Sequence, residues 1–280
     1  MTAAPAFDFH CHSLCSDGAL APQALIELAA ERGLQQLAIT DHDTTAAYTR
    51  QLSDQATDAQ ITLVSGCELS CLWQRRSIHV VGLNIDLAHP VFVQAMGEQA
   101  QARDRRAEKI TAVLQRMGFS LELAHIQRIA GKGVVGRPHF AEYLVKTNQM
   151  PSMAAAFKRA LGAGKPGDIK AEWPALETVV GWISAAGGIA VVAHPLKYKM
   201  TLTKLRSLLT TFVEVGGQGM EVITGHQESN QTRTLADLAQ RFELAASAGS
   251  DFHRPGQPWA ELGRASGLPE QCTPIWQLWS

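Results

Sequence analysis

The sequence predicts an α/β protein with a parallel sheet or barrel and a helical insertion near its middle. Short apolar segments rich in β-branched residues alternate with amphipathic segments in the first third of the chain and again after residue 174. This alternation is typical of strands connected by helices. Between residues 90 and 173 helical periodicity dominates. We therefore expect a barrel over residues 1–89 and 174–280, with a helical insertion over residues 90–173.

The first part of the chain contains four strand candidates and a helix. The helix is expected over residues 22–32, because Pro22 favours a first helical turn and Gly33 favours a helix stop. The strand candidates are apolar segments, and two of them are rich in β-branched residues. They cover residues 7–12, 37–40, 61–70 and 77–86.

The insertion begins with a long helix that we expect to end at Gly118. Shorter helices are expected over residues 121–130, 139–148 and 152–161, and the Gly/Pro-rich stretch GAGKPGD follows them. The alternation then resumes. The expected order is a helix in ALETVVGWISAAGG, a strand in IAVVAHP, a helix in TKLRSLLTTFVEVGG, a strand in MEVITGH, a helix over residues 230–241 and a strand in LAASAGSDFH.

Composition narrows the class of protein. With 280 residues, 46% of them hydrophobic, the chain can bury one large core. Its 25 basic and 26 acidic residues are balanced, which argues against a surface that coats long duplex nucleic acid. MTAAPAFDFH lacks the pattern of a secretory signal, and the most apolar stretch is interrupted by Gly187 and Gly188, so we expect a cytoplasmic protein without a membrane partner. The five scattered cysteines are expected to be reduced and mostly buried.

Histidines and carboxylates follow the predicted strands. In DFHCHSLCSDG, His10 and His12 project from the same side of a strand because successive side chains alternate. The other strand candidates carry TDHD, GCE, SIHVVG, AHP and SDFH at or near an end. In a parallel barrel such ends meet at one face. The candidate ligands are His10, His12, Asp17, His42, Glu68, His79, His194, Asp251 and His253.

These nine residues offer imidazole and carboxylate donors, which suit Mn²⁺, Zn²⁺ or Fe²⁺. Nine donors are too many for one ion and fit a multinuclear centre in which a carboxylate bridges. Taken singly, each has a structural interpretation. His79 or His194 alone is more often a hydrogen-bonded core residue, and TDHD alone is typical of turns and helix caps. Their occurrence together at six strand ends favours the metal site.

HCHSLCSDG, TDHD, GCE, SIHVVG, AHP and GSDFH, in this order, resemble the motifs of the PHP (polymerase and histidinol phosphatase) phosphoesterase family. The resemblance implies a distorted (β/α)7 PHP barrel with three divalent ions, often Mn²⁺. It also implies a metal-bound hydroxide held by Asp17, His42, Glu68 and His253. The ligand sets that it implies are His10, His12, Glu68 and Asp251 for one ion, Asp17, His42 and His253 for a second, and Glu68, His79 and His194 for a third.

The segment IHVVGLNID, the helical insertion and the ending GSDFH…PWAELGR…IWQLW resemble one subgroup of that family. The subgroup contains 5′→3′ exoribonucleases on short RNA and 3′,5′-nucleoside bisphosphate phosphatases. The resemblance therefore implies short 5′-phosphorylated RNA or a 3′,5′-bisphosphate nucleotide as substrate. AHPLKY and GRPHF depart from the subgroup's usual AHPGRY and TRGHF-like stretches, which leaves open whether Lys197 replaces a phosphate-facing arginine.

Basic residues of the insertion are the candidates for binding a phosphate. Arg103 and Arg106 lie three positions apart and share a helix face. Arg137 and His139 stand in GRPHF, at an expected helix N-terminus that favours an anion. Arginine also has the planar fork that pairs with phosphate oxygens. We expect these four residues of the insertion to bind substrate, although solvated surface charge is the commoner role of Arg and Lys.

Three other interpretations remain open at this point. The first is a small-molecule phosphatase of the histidinol-phosphate type, and the second is a non-catalytic regulatory domain that binds metal. The third is a metal-dependent amidohydrolase, which would use the same barrel and donor chemistry. The apparently complete ligand set disfavours the second, and the phosphate-suited arginines disfavour the third.

Overall fold

Apolar segments form two sheets, and amphipathic segments cover them. The computed structural model describes residues 7–170, 172–265 and 267–279. Its strands are β1 (Phe7–Cys11), β2 (Gln36–Ile39), β3 (Thr62–Leu63), β4 (Gly66–Trp73), β5 (Arg76–Leu83), β6 (Ile189–Val192), β7 (Gly219–Thr224) and β8 (Ala245–Gly249). Its α-helices are α1 (Pro22–Glu31), α2 (Arg50–Asp58), α3 (Pro90–Arg116), α4 (Leu123–Ala130), α5 (Arg137–Lys146), α6 (Met153–Ala156), α7 (Leu176–Ala185), α8 (Leu202–Glu214) and α9 (Ser229–Arg241).

The first sheet has the order β1-β2-β3 and is parallel. The second has the order β4-β5-β6-β7-β8, and its last three strands are parallel. Isolated bridges from Cys11 to Phe252 and from His42 to Glu68 link the two sheets. Within the described residues, the ladders do not close into a barrel. The expected mixed α/β fold with parallel strands is confirmed, whereas the closed seven-stranded barrel is not seen.

The expected parallel arrangement is wrong for strand β5, which runs antiparallel to both β4 and β6. The turn between β4 and β5 consists of Gln74 and Arg75, with φ of +44° and +63°. Two consecutive residues in the left-handed region form the kind of tight turn that joins hairpin strands. The sequence WQRR carries no Asn-Gly or Asp-Gly pair, so the hairpin had no strong local signal.

Two further elements differ from the sequence-based expectation. The single strand expected over residues 61–70 is divided, since β3 pairs with β2 and β4 pairs with β5. Helix α2 was not predicted, because it buries only Leu52 and Ala56. Its start is stabilised by Thr49, whose side chain accepts a hydrogen bond from the Leu52 backbone N–H.

The helices between β5 and β6 bury an apolar cluster of their own. Ile110 and Leu114 of α3 pack there with Phe140 and Leu144 of α5. Phe92, near the start of α3, packs instead in the cluster beneath β4–β8. Helix α6 continues into a π-helical turn over Phe157–Leu161, so the expected helix over residues 152–161 changes its hydrogen bonding midway.

The division into segments 1–89, 90–173 and 174–280 stays a prediction, although α3–α6 all lie within the middle segment. Residues 1–6, 171, 266 and 280 of those segments lie outside the described residues. Among the helices in the described ranges, none combines the length and the apolar character needed to cross a bilayer.

Candidate metal centre

The first strand directs two imidazoles to one side. His10 and His12 of the segment at β1 are fully buried, and their Nε2 atoms are 3.2 Å apart. Cys11 points to the opposite side, where it packs with the helices on the first sheet. The alternation of a strand therefore separates the polar pair from the core, as the sequence indicates.

A carboxylate from the second sheet lies beside this pair. Glu68 of β4 is completely buried. Its Oε2 is 3.3 Å from Nε2 of His10 and 3.3 Å from Nε2 of His12. Its Oε1 is 2.9 Å from Nδ1 of His79 and 2.8 Å from Nε2 of His194. Glu68 thus stands at the centre of a ring of imidazoles from three other strand segments.

His79 reaches Glu68 by a route that differs from the predicted strand end. It lies within β5, opposite Ser70 of β4, and Ser70 is two residues beyond Glu68. His194 lies two residues beyond the end of β6 with a φ of +29°, and Asp251 lies two residues beyond the end of β8 with a φ of +54°. A positive φ is unfavourable for residues with a Cβ, and such strain concentrates at functional sites.

A second part of the cluster is built around Asp17. Its Oδ1 is 3.4 Å from Nε2 of His253, and its Oδ2 is 3.9 Å from Nε2 of His42. His42 in turn has Nδ1 3.0 Å from Oε2 of Glu68. Asp251 joins the two parts, because its Oδ1 is 3.2 Å from Nε2 of His12 and 3.5 Å from Nδ1 of His253.

The nine candidate ligands therefore converge. Four groups of them place one donor atom each within 4.8 Å of one another. The groups are His12, Asp17, His42 and His253; His10, Glu68 and His194; His10, His12 and Asp251; and His42, Glu68 and His79.

Several donor atoms of the cluster have no hydrogen-bond partner although they are buried. They are Nδ1 of His12, His42 and His194, and Oε2 of Glu68. An unsatisfied buried polar atom costs about 1–3 kcal/mol. Imidazole and carboxylate atoms that crowd together without hydrogen bonds fit a divalent cation as the missing partner. The donor set therefore fits metal ions of the Mn²⁺, Zn²⁺ and Fe²⁺ class.

The three carboxylates of the cluster are held in the ionised form. Burial alone would raise the pKa of Asp17, Glu68 and Asp251. The surrounding imidazoles, together with Lys197 beside Asp251, outweigh burial and hold each pKa well below its usual range. Three charged acceptors in one buried region attract cations.

The pKa values of His12 and His42 shift in opposite directions. Burial lowers the pKa of His12, but the adjacent carboxylates of Asp251 and Glu68 outweigh it and raise the pKa to about 10. Burial lowers the pKa of His42 to about 4 despite Glu68 and Asp17 nearby. His42 therefore remains a neutral imidazole, the form that binds metals.

A cleft opens next to the cluster, and its lining contains residues of both charges. Asp17, His42 and His79 of the cluster line it together with Arg103, Arg106 and Arg137. The guanidinium carbons of Arg103 and Arg106 lie 5.5 and 5.0 Å from the ring centroid of Trp173, which also lines the cleft. Stacking on an indole holds a guanidinium in place.

The positive side of the cleft is electrostatically crowded. Burial, followed by the charges of Arg137 and Arg103, lowers the pKa of Arg106 to about 9. Arg137 is partly compensated, since it donates a hydrogen bond to Asp168 at 3.0 Å. Three guanidinium groups that share one cleft favour the binding of an anion with several oxygens.

The arrangement of strand-end histidines and the sequence agree with a known family. The model of the PHP domain matches residues 8–150, which include His10, Asp17, His42, Glu68 and His79. The chain belongs to the PHP domain family.

Relatives of this PHP protein match over nearly the whole chain. It is 40% identical to the 5′-3′ exoribonuclease Rnm of Escherichia coli (strain K12) over 98% of this chain and 93% of the relative. It is 38% identical to a 3′,5′-nucleoside bisphosphate phosphatase of Chromobacterium violaceum over 96% of this chain and 95% of the relative.

A solved structure from Chromobacterium violaceum has a similar PHP-like fold. Its TM-score is 0.88 at 38% sequence identity, over 97% of this chain and 94% of that chain. That protein is described as an amidohydrolase with bound sulfate and no metal.

The structure of the PHP protein brings most of the predicted substrate-binding residues to one place. Arg103, Arg106 and Arg137 all line the cleft. His139 is not among the lining residues. Its Nδ1 accepts a hydrogen bond from the Gly136 backbone N–H at 2.9 Å and so caps the start of α5. Within the structure described, His139 supports the segment that carries Arg137.

The sequence analysis did not identify the carboxylate that contacts two of the clustered histidines. Glu221 of β7 is buried, and its Oε1 is 2.5 Å from Nδ1 of His10. Its Oε2 accepts a hydrogen bond from the backbone N–H of His194. A carboxylate behind a histidine fixes the tautomer and orientation of the ring. Glu221 is the second residue of MEVITGH, and a charged side chain in an apolar strand was its only signal in the sequence.

Asp41 and Asp43 flank His42 in the segment TDHD. Asp41 accepts hydrogen bonds from the hydroxyl groups of Ser13 and Ser16, both at 2.5 Å. Asp43 accepts from the backbone N–H of Ser70 at 2.6 Å. The two aspartates therefore support loops around the cluster, in agreement with the turn interpretation of this motif.

Proposed function

We propose that the chain is a metal-dependent phosphoesterase that cleaves the 3′-phosphoester of 5′-phosphorylated nucleotides. It would act as a 5′→3′ exoribonuclease on short RNA, releasing 5′-mononucleotides, and as a 3′,5′-nucleoside bisphosphate phosphatase. The observation that carries the proposal is the cleft that three arginines line together with Asp17, His42 and His79. Two relatives, 40% and 38% identical, are a 5′-3′ exoribonuclease and a 3′,5′-nucleoside bisphosphate phosphatase, and they support it.

The nine clustered residues would hold three divalent ions, Mn²⁺ in preference to Zn²⁺ or Fe²⁺. Bound ions of this kind lower the pKa of water and neutralise phosphoryl oxygens. The short distances from Glu68 to five histidines support its role as a bridging ligand. We also propose that the two linked sheets correspond to the family's distorted seven-stranded barrel. Residues 90–173 would form an insertion in this barrel that contributes to substrate binding.

The arginines would bind the 5′-phosphate of the substrate. Arg103 is held by Asp43 at 2.7 Å, and Arg106 by the carbonyl of Ile169 at 2.8 Å. Guanidinium groups fixed in this way lose little freedom when an anion arrives. The phosphate on the 3′ oxygen of the same nucleotide would then lie beside Asp17, His42 and His79. The sulfate bound by the Chromobacterium violaceum relative supports a site for a tetrahedral anion.

One bond cleavage accounts for both activities. The oxygen of a water molecule forms a bond to phosphorus, the bond from phosphorus to the 3′ oxygen breaks, and that oxygen takes up a proton. If the phosphate is terminal, the products are a 5′-monophosphate and inorganic phosphate. If the phosphate leads to another nucleotide, the products are a 5′-mononucleotide and an RNA with a new 5′-phosphate.

The test is product analysis on a 5′-phosphorylated oligoribonucleotide and on the same oligomer with a 5′-hydroxyl. Protein treated with a chelator is expected to be inactive and to recover with Mn²⁺. We expect 5′-mononucleotides from the phosphorylated oligomer and slow cleavage of the hydroxyl form. Equal rates on the two oligomers would contradict the role of the arginines.

An amidohydrolase is the second candidate, because the similar solved structure carries that description. Three arginines in the cleft favour a phosphate over a neutral amide. An N-acyl amino acid and a sugar phosphate serve as alternative substrates in the same assay. A preference for the first would indicate an amidohydrolase, and a preference for the second a phosphatase of the histidinol-phosphate type.

A further inference from the structure

A second cavity adjoins the His/Asp/Glu cluster. Its lining includes His194, Lys197, His226, Gln227 and Gln231. It shares no lining residue with the arginine cleft. The two cavities reach the cluster through His79 and His194, whose ring centroids are 5.3 Å apart. The cluster therefore lies between two separate openings.

The lining of this cavity combines apolar side chains, among them Leu196 and Leu235, with polar groups and one ammonium group. The ammonium group of Lys197 pairs with the carboxylate of Asp251, so it stands where the cavity meets the cluster. His226 and Gln231 are exposed at the rim. In the ranges that the structure describes, no hydrogen bond involves the His226 ring or the amide nitrogen of Gln231. Both therefore retain donors for a ligand.

The rim continues to an exposed aromatic residue. The backbone N–H of His226 donates a hydrogen bond to the carbonyl of Trp259 at 2.7 Å. The Trp259 side chain is 61% exposed, which makes it the one large aromatic residue so exposed in the described part of the chain. Exposed aromatic faces bind nucleobases by stacking, with little preference for sequence.

We propose that the second cavity binds the nucleotide on the 3′ side of the scissile phosphate. The inference rests on the proposed function, in which a 5′-phosphate lies at the arginines and the cleaved phosphate at the cluster. A 3′,5′-bisphosphate ends at the cluster, whereas an RNA continues beyond it. The cavity that meets the cluster through His194 and Lys197 offers that continuation a cationic entrance and hydrogen-bond donors. It therefore serves RNA cleavage and is not used by a bisphosphate.

The test compares two substrates in a double variant, His226→Ala with Gln231→Ala. Both side chains are exposed, so the fold should be retained. We expect kcat/KM on a 5′-phosphorylated oligoribonucleotide to fall about tenfold, because contacts to the downstream nucleotide are lost. Turnover of adenosine 3′,5′-bisphosphate should change by less than about twofold on the same reasoning. Gln240→Ala, at another exposed position of α9, is the control and should change neither.

A binding measurement gives a second result that does not require turnover. Wild-type protein loaded with Mn²⁺ should bind a 5′-phosphorylated dinucleotide that carries a non-cleavable link in place of the scissile phosphoester more tightly than a 5′-mononucleotide, and the double variant should bind the two equally. If the double variant loses activity on both substrates to the same extent, or on neither, the second cavity is not a downstream subsite. If the wild-type protein with Mn²⁺ cleaves neither substrate, the proposed function is wrong, and the proposal of a downstream subsite is then wrong as well.

Discussion

Arg103 and Asp43 form a buried ion pair, with Nε of the arginine 2.7 Å from Oδ2 of the aspartate. Asp43 follows His42 directly, and Arg103 lies on the long helix α3. The same carboxylate accepts a hydrogen bond from the side chain of Gln99 at 2.9 Å. One aspartate therefore ties the helix that carries two cleft arginines to the strand end that carries a candidate metal ligand.

Replacing this aspartate should affect substrate binding and stability together. Asp43→Asn leaves Arg103 without its buried partner, and breaking such a pair costs about 3–5 kcal/mol. We expect a lower free energy of unfolding and a higher KM for 5′-phosphorylated RNA. Denaturant titration and steady-state kinetics measure the two effects. Glu172→Gln, which breaks exposed pairs with Arg105 and Lys109, should cost less than about 1 kcal/mol and leave KM unchanged.

Arg106→Lys tests the anion-binding side of the cleft. The charge is kept but the planar fork is lost, so KM for a 5′-phosphorylated oligomer should rise about tenfold. The rate on a 5′-hydroxyl oligomer should stay the same, which would reduce the preference for the phosphate. Arg105→Lys is the matched control, because Arg105 is adjacent in sequence and its side chain is 53% exposed. An equal effect of both variants would contradict a phosphate-binding role for Arg106.

Asp17→Ala should remove hydrolysis without unfolding the protein. Asp17 contributes a carboxylate to the group with His12, His42 and His253, and it is also part of the cleft. We expect turnover of RNA and of the bisphosphate to fall to background, while the far-ultraviolet circular dichroism spectrum stays native. Asp54→Ala on the exposed face of α2 should remain fully active. Undiminished turnover in Asp17→Ala would count against the proposed mechanism.

Glu221→Gln should weaken metal binding although Glu221 is not a candidate ligand. Burial lowers the pKa of His10, but Glu221, Glu68 and Asp251 outweigh burial and raise it well above its usual value. Loss of a carboxylate behind a ligating histidine typically costs 10–100-fold in metal affinity. Titration with Mn²⁺ followed by calorimetry measures this change. Glu214→Gln, at an exposed position of α8, should bind Mn²⁺ as the wild type does.

Trp259→Leu extends the test of the second cavity. A stacked base contributes about 1–3 kcal/mol, so kcat/KM on RNA should fall at least about fivefold. The effect should be absent with a 3′,5′-bisphosphate, which has no base beyond the scissile phosphate. Competition between the two substrates in one reaction measures the ratio of kcat/KM on RNA to kcat/KM on the bisphosphate. If this ratio is the same in the variant and the wild type, Trp259 does not contact the RNA.

The local properties of the fold follow from neighbours in the sequence. Alternation in DFHCH separates Cys11 from His10 and His12, and the structure places them on opposite sides. The spacing of three between Arg103 and Arg106 puts both residues on one face of α3, and both guanidinium groups line the same cleft. Such relationships depend only on the period of a strand or a helix, so no tertiary information is needed.

Backbone conformation in turns and at helix starts had a weaker signal in the sequence. The hairpin of β4 and β5 depends on left-handed conformations at Gln74 and Arg75, which these residue types do not require. His139 accepts a hydrogen bond from the Gly136 backbone N–H, a helix-cap contact that the sequence analysis did not foresee, and its role in substrate binding stays a prediction. In both cases the residue type permits more than one backbone conformation or hydrogen-bond partner, and the folded chain determines which one occurs.

The sequence by itself determined which residues are available for chemistry: nine histidines and carboxylates at or near strands, and arginines on one face of a helix. Only the tertiary structure decided that Glu68 lies at the centre of five imidazoles, that Glu221 stands behind His10, and that a second cavity meets the cluster at His194. Periodicity sets the side of an element to which a residue points. The distance between donor atoms hundreds of residues apart is set by strand register, sheet order and packing, which the whole chain determines together.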